Sequence, residues 1–283
     1  MACCNFVPGN LKMKRICEFG DCCGSQSRAP GFGQRALLTA SIVFIAVLMG
    51  LTGCAGKAKP EAKAVASTTT STASAQTNSG PLEKMIQAAA AEPVGALEGE
   101  GWKPMFDGRT LAGWQPTDFA GHGQVECESG LMMLYLGNSL TGVNWTNDVP
   151  KVDYEIALEA MKLQGSDFFC GLTFPVKDSF CSLILGGWGG SVVGLSSLEH
   201  QDASENETTQ FMKFDTGKWY RVRVRVTEKK IVVWIDDKEI VNLLTEGRTI
   251  SLRLGEIEMS KPLGIATYET TAALRAIKIR RLE

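Results

Sequence analysis

Residues 102–283 contain no P-loop, GxGxxG, CxxC pair, HExxH or GxSxG. A nucleotide cradle, a paired-thiol or helical zinc site and a serine-hydrolase elbow therefore have no motif there. Cysteine is also sparse in this part. Of nine cysteines, Cys3, Cys4, Cys17, Cys22, Cys23 and Cys54 come early and only Cys127, Cys170 and Cys181 follow, too few for a disulfide framework. A basic excess is missing, with a net charge of −2 and a pI near 5.9. Neutralising phosphates needs a basic face, so nucleic acid is not an expected partner. Histidine is limited to His122 and His200, and no aromatic residue lies between Phe44 and Trp102.

What is present divides the chain. With 44% hydrophobic and 21% charged residues over 283 positions, the sequence can bury a normal core in one large domain or two small ones. Residues 1–53 carry five Lys/Arg against two Asp/Glu, so the front is basic while the remainder is acidic. Residues 36–51, ALLTASIVFIAVLMGL, form an uncharged apolar run after Arg28 and Arg35, which is a signal-peptide pattern. At about 1.5 Å per residue the run falls short of a bilayer core, so an uncleaved membrane anchor is the alternative. The LTGC that follows, ending in Cys54, resembles the lipobox of bacterial lipoproteins. That resemblance implies acylation of Cys54, a membrane partner through the lipid, and an extracytoplasmic place in the cell envelope. Ala55 stands where an Asp often marks inner-membrane retention, which points to the outer membrane in a two-membrane bacterium. Residues 1–35 hold five cysteines, unusual ahead of such a run, and a start codon further downstream would explain them. Residues 54–101 are rich in Ala, Thr, Ser, Lys, Pro and Glu and read as anchor and linker. Within them PLEKMIQAAAA (81–91) has the spacing of a short helix opened by proline.

From Trp102 onward the pattern is all-β. Period-two alternation runs through VDYEIALEA (152–160), WYRVRVRVT (219–227), KIVVWIDD (230–237) and ALRAIKIRRL (273–282), with TEKK turning the second into the third. Shorter strands are expected at 123–128, 131–136, 167–174, 180–185, 191–196, 250–254 and 263–268. So many strands without a long helical pattern predict a two-sheet sandwich, with the last strand near the first to cover an edge. A 170–181 disulfide is disfavoured, because a hairpin turning near Lys177 would set Cys181 opposite Thr173, on the other face from Cys170.

The opening WKPMFDGRTLAGW (102–114) is followed by GQVECESGLMML (123–134), DYEIALEAM (153–161), the 219–241 hairpin and the terminal AIKIRRL (276–282). Together these resemble the 3-keto-disaccharide hydrolase family across nearly all of 102–282. The resemblance implies a concanavalin A-like two-sheet jelly roll related in fold to laminin-G modules and laminarinase-type glycosidases, acting on carbohydrate. The family's Gly-Asn-Ser-Gly run with a following Arg is replaced here by GSDFFCGLTFPV (165–176), so no catalytic residue carries over from it. In the opening motif, Phe106, Leu111 and Trp114 read as core, and Asp107 with Gly108 as a turn.

Two segments stand out as a candidate site. In GGWGG (186–190), Gly187 and Gly189 flank Trp188; this is either a loop offering a flat face to a sugar or a bulged strand capping the core. In SSLEHQDASENETT (196–209), Glu199, His200, Asp202, Glu205, Asn206 and Glu207 crowd together. Such groups hydrogen-bond sugar hydroxyls, move protons or hold Ca²⁺, although no Ca²⁺-loop spacing is present and no cofactor is expected; a solvated polar loop is the plain alternative. A 3-keto sugar needs only one base, because the ketone acidifies the C2 proton. His200 is the first candidate, with Asp202 or Asp167 orienting it and Glu199 as substitute. The expected function is glycoside or 3-keto-glycoside hydrolysis, or else noncatalytic glycan binding on the same fold. The Arg221/Arg223/Arg225 stripe reads as a solvated sheet face paired with acidic neighbours. Cys54→Ala is expected to abolish incorporation of an alkynyl fatty acid into the protein in bacterial cells; labelling that survives would overturn the lipobox reading.

Overall fold

Residues 80–283 are described by a computed structural model and all belong to one compact unit, Thr72–Glu283. Cys54 and the apolar run lie outside the described residues. One helix, α1 (Pro81–Ala91), is followed by β1 (Lys103–Pro104), β2 (Trp114–Pro116), β3 (Val125–Glu128), β4 (Leu131–Leu134), β5 (Leu140–Trp145), β6 (Tyr154–Gly165), β7 (Cys170–Val176) and β8 (Ser179–Gly186). Then come β9 (Val192–Ser196), β10 (Gln210–Phe211), β11 (Trp219–Val226), β12 (Lys230–Ile235), β13 (Lys238–Leu244), β14 (Gly264–Tyr268) and β15 (Thr270–Arg281). They form a jelly-roll sandwich of two antiparallel sheets. The first has the order β13-β12-β11-β6-β15-β4-β3, with β1 also on β15; the second has the order β10-β9-β8-β7-β14-β5-β2.

Alternation builds the core between the sheets. Tyr154, Ile156, Leu158 and Ala160 of β6, Val222, Val224 and Val226 of β11, and Leu172, Phe174, Leu183, Leu185, Val193, Leu195 and Ile265 of the second sheet share one apolar cluster. Strand β15 keeps its phase through a bulge between Arg275 and Lys278. Ala276 there has φ +52°, and the extra residue lets Leu274 and Ile277 both reach the core.

The outer face of the first sheet is not a solvated stripe. Glu155 and Glu159 of β6 are buried, where an uncompensated carboxylate would be costly. Arginines from both neighbouring strands compensate them. Glu155 accepts hydrogen bonds from Arg225 at 2.5 Å and Arg280 at 2.6 Å, and Glu159 from Arg275 at 2.7 Å. Strand register sets Arg225 and Arg280 opposite Glu155, and Arg221 and Arg275 opposite Glu159; the Arg221 guanidinium itself pairs with Asp237. The arginine stripe is thus paired as expected, but it is largely covered.

The cover is the segment that composition alone reads as linker. Helix α1 forms over 81–91, with Ile86 and Ala89 buried against Leu131, Met133, Met161, Leu163 and Ala273. Beyond it Arg275 donates to the carbonyls of Ala89, Glu92 and Pro93, and the backbone N–H of Gly95 donates to Glu159 at 2.7 Å. Backbone polar groups without a ladder are thereby satisfied by the charged stripe beneath them.

Three local expectations are corrected. Residues 250–254 form no strand; only Ile250 makes a bridge, to Leu198, and Arg253 and Leu254 are exposed. β13 completes a meander that the sequence reading ended at Asp237. The β7–β8 hairpin turns at Lys177–Asp178, so Cys181 pairs with Phe174 rather than Thr173. Cys181 therefore shares the core face with Cys170, four positions further along. That offset is about 13 Å along the strands, beyond disulfide reach, and both thiols are free. Burial pushes both up to about 12. Glu159→Ala is expected to lower unfolding stability by about 3 kcal/mol in urea titration, because it strands Arg275 among buried groups; a change below about 0.5 kcal/mol would contradict this account.

Candidate functional site

Residues paired across an antiparallel ladder share a face, so the outer face of the second sheet can be read in rows. One row runs Asn144, Gly264, Thr173, Ser182, Ser196, and the next runs Gly142, Ala266, Gly171, Ile184, Gly194. A third begins with Leu140 opposite Tyr268. The first row is polar and internally bonded, with the Thr173 and Ser182 hydroxyls 2.7 Å apart. The second is nearly flat, and loops settle into it. A Cβ on Gly171 would meet the Phe168 ring at 2.9 Å, and one on Gly194 the Ala203 carbonyl at 3.0 Å.

A cleft of about 510 Å³ opens on this face. Ser182, Ser196 and Ile184 form its floor. One wall is Asp167, Phe168 and Trp188, and the other is the irregular strap of residues 250–262, through Arg253, Leu254, Glu256 and Ile257. Ser139, Leu140 and Tyr268 close the far end.

The Trp188 wall explains the glycines. Gly186, Gly189 and Gly190 have φ of +79°, +85° and +104°, and Trp188 itself has +50°, a left-handed run that side chains resist. Asp167 fixes the loop: one carboxylate oxygen accepts the N–H of Phe168 at 2.8 Å and the other the N–H of Gly189 at 2.9 Å. Trp188 consequently stands 41% exposed at the cleft, not capping the core, while Gly187 is buried behind it.

Opposite, Arg253 lies 3.3 Å from Asp202 Oδ2 and 5.9 Å from the centre of the Trp188 ring. The Ser196 hydroxyl donates to Asp202 Oδ1 at 3.2 Å. Asp202 is thus oriented by two groups that themselves line the cleft. Cation, hydroxyl and aromatic face line one small volume, and the Asp202 carboxylate stands behind Arg253 and Ser196 rather than in the lining itself.

The remaining candidates are placed elsewhere. His200 is exposed at φ +64° in the Leu198–Gln201 turn and does not line the cleft; neither Asp202 nor Asp167 bonds to it. Glu199 accepts the Thr249 N–H at 3.0 Å, Glu207 pairs with Arg248 at 2.6 Å, and Glu205 is exposed. Asn206 is spent on structure. Its amide donates to the carbonyls of Leu195, Gln201 and Asp202, and its oxygen accepts from Thr208. Among the described residues no three His, Cys, Asp or Glu side chains converge to hold a metal ion. Arg253, Ser196, Ser182, Phe168 and Tyr268 were not singled out by sequence. Lone serines in the otherwise apolar SLIL and VVGLS strands were the available signal, whereas Arg253 gives none in isolation.

The Asp107 turn lies apart from the cleft. Its carboxylate accepts the N–H groups of Thr110 and Arg109 and the Thr110 hydroxyl, and those bonds hold it below the usual carboxylate range.

Residues 101–280 match the model of a family described as the 3-keto-alpha-glucoside-1,2-lyase-like domain. No curated protein matches. Similar solved structures include the exoplasmic/lumenal domain of VIP36 bound to Ca²⁺ and Man3GlcNAc, at 13% identity and TM-score 0.45, covering 65% of this chain and 91% of that one. Others are the Crh5 transglycosylase in complex with NAG, at 11% and 0.41, covering 62% and 85%, and the carbohydrate-binding module CBM66 from Bacillus subtilis, at 11% and 0.39, covering 59% and 95%. Likenesses this distant assign no residue a role. Asp167→Ala is expected to speed amide hydrogen exchange of residues 186–190 at least tenfold while leaving β11 and β15 unchanged; unchanged exchange in the loop would show that Asp167 does not fix it.

Proposed function

The chain belongs to the 3-keto-alpha-glucoside-1,2-lyase-like family, a carbohydrate-related family, and from that premise we propose that its cleft cleaves 3-keto-glycosides by elimination. The observation that carries this reading is the convergence of Arg253, Asp202 and Ser196 beside Trp188. A ketone at C3 makes the C2 hydrogen acidic. Asp202 takes that proton, and the electron pair moves into an enolate whose O3 faces the Arg253 guanidinium. The enolate then expels the aglycone oxygen by breaking the C1–O bond, the departing oxygen takes up a proton, and water can add later to the unsaturated sugar. Trp188 supplies the flat face against which the sugar ring lies. The roles of Asp167 and Asn206 in this scheme are to position, since the loop backbone and neighbouring carbonyls already use their polar atoms.

A second reading is supported by the same engagement. With Asp167 committed to backbone N–H groups and Asp202 to Arg253, the cleft would serve a noncatalytic glycan-binding module equally well. Acylation of Cys54 and an extracytoplasmic location belong with either reading, since an anchored domain is suited to meeting glycans outside the cytoplasm.

Methyl 3-keto-α-glucoside, followed by NMR in D2O, separates the two. Wild-type protein is expected to release methanol with deuterium appearing at C2. Asp202→Asn and Arg253→Ala are expected to lower kcat by about 100-fold or more, while His200→Ala stays near wild type. Saturable binding without methanol release would establish the binding module, and a loss confined to His200→Ala would return the base to that residue.

A further inference from the structure

The cleft has two chemically different ends. Its polar end is Ser182, Ser196 and Arg253, with Asp202 bonded behind the last two. Its other end holds Leu140 and Tyr268, two rows further along the sheet, with Phe168 and Ile257 beside them. Two rows correspond to about 13 Å along the strands, more than one sugar ring occupies. Phe168 and Tyr268 stack, with ring centres 6.0 Å apart and an interplanar angle of 26°. The exposed rim adds Leu254, 88% exposed, to Trp188 and Tyr268.

Both carboxylates at that end are already engaged, which leaves the Ser139 and Tyr268 hydroxyls as its uncharged polar groups. Asp167 is bonded to backbone through both oxygens, and the carboxylate of Glu256 accepts the Ala120 N–H at 3.3 Å. A second sugar ring carries several hydroxyls and would find only the Ser139 and Tyr268 hydroxyls among the side chains of Leu140, Phe168, Leu254 and Ile257, and unpaired hydroxyls are costly in such surroundings. A planar apolar group would gain from the same surface. Leucine and isoleucine in particular offer nothing to a sugar hydroxyl.

Resting on the carbohydrate reading above, we propose that the Phe168–Tyr268 end is an aglycone subsite, and that it selects glycosides whose leaving group is aromatic over disaccharides. Arg253 and Asp202 hold the sugar, and the stacked pair with Leu254 holds the ring that departs. Discrimination arises from burial of apolar area that the free protein leaves exposed.

Calorimetry on the full-length protein tests this with three stable probes: phenyl 1-thio-α-glucoside, methyl 1-thio-α-glucoside and maltose. The phenyl glycoside is expected to bind about tenfold tighter than either of the others. Leu254→Asp, at a surface position where folding is not at stake, and Tyr268→Ala should bring that ratio close to one while leaving the affinity for the methyl glycoside unchanged. Equal affinities in the wild type, tighter binding of maltose, or a ratio that survives both substitutions would overturn the aglycone subsite and leave the carbohydrate reading standing. Absence of binding by all three would overturn the aglycone subsite, and it would remove the carbohydrate reading as well only if methyl 3-keto-α-glucoside also neither binds nor releases methanol.

Discussion

Two carboxylates on one buried strand set the terms for this fold. Strand β6 lies between β11 and β15, and its outward positions carry Glu155 and Glu159 where a sandwich of this size would ordinarily place neutral residues. Each must be matched by charge and by hydrogen bonds if it is to remain ionised away from water. That requirement explains the arginine on alternate positions of β11, the bulge at Ala276 that keeps Arg275 and Arg280 outward, and the backbone of residues 89–100 folded over them. A strand with Val or Thr at these two positions would have needed neither the arginines nor the cover.

The second sheet solves a different problem. Its outer face has to be accessible, yet an open sheet of apolar residues would be a liability. Small residues in one row let Phe119, Phe168 and Ala203 settle against the backbone, and hydroxyls in the adjacent row satisfy one another. The cleft is the part of this face left uncovered between the glycine loop and the strap. Its one cation, Arg253, sits at the end where Asp202 backs the floor serines, while Asp167 is turned back into its own loop and Glu256 toward the Ala120 backbone.

The sheets were legible in sequence because alternation over eight or more residues has one interpretation. WYRVRVRVT and VDYEIALEA specify face and partner almost unaided, and the opening motif places Phe106 and Trp114 in the core. The glycines around Trp188 likewise marked a loop. What could not be read was whatever depends on pairing between distant segments. Arg253 becomes a site residue only because the strap, which has no periodicity, crosses the sheet opposite residues 196–202. His200 looked prominent through rarity alone, and rarity says nothing about which way a turn faces. Cys181 was misplaced by one residue of hairpin register, enough to exchange faces. The helix at 81–91 was visible in its spacing, whereas residues 92–101 have the composition of a tether, and only the stripe beneath them shows why they stay seated.

The two walls of the cleft differ in how freely they can change. At Gly186, Gly189 and Gly190 the backbone is left-handed, and a Cβ on Gly190 would meet the Ser166 carbonyl at 2.9 Å, so the Trp188 wall tolerates few edits. The strap is largely exposed; it is joined to the sheet by the backbone pairing of Ile250 and Ser251 with Leu198 and Ser197 and by a few side chains, and only one turn of 3-10 helix, Glu256–Ser260, is regular. Divergence of ligand preference among descendants of this chain would therefore be recorded on one jaw only: the Trp188 jaw fixed by its dihedral angles, the other rewritten residue by residue around Arg253.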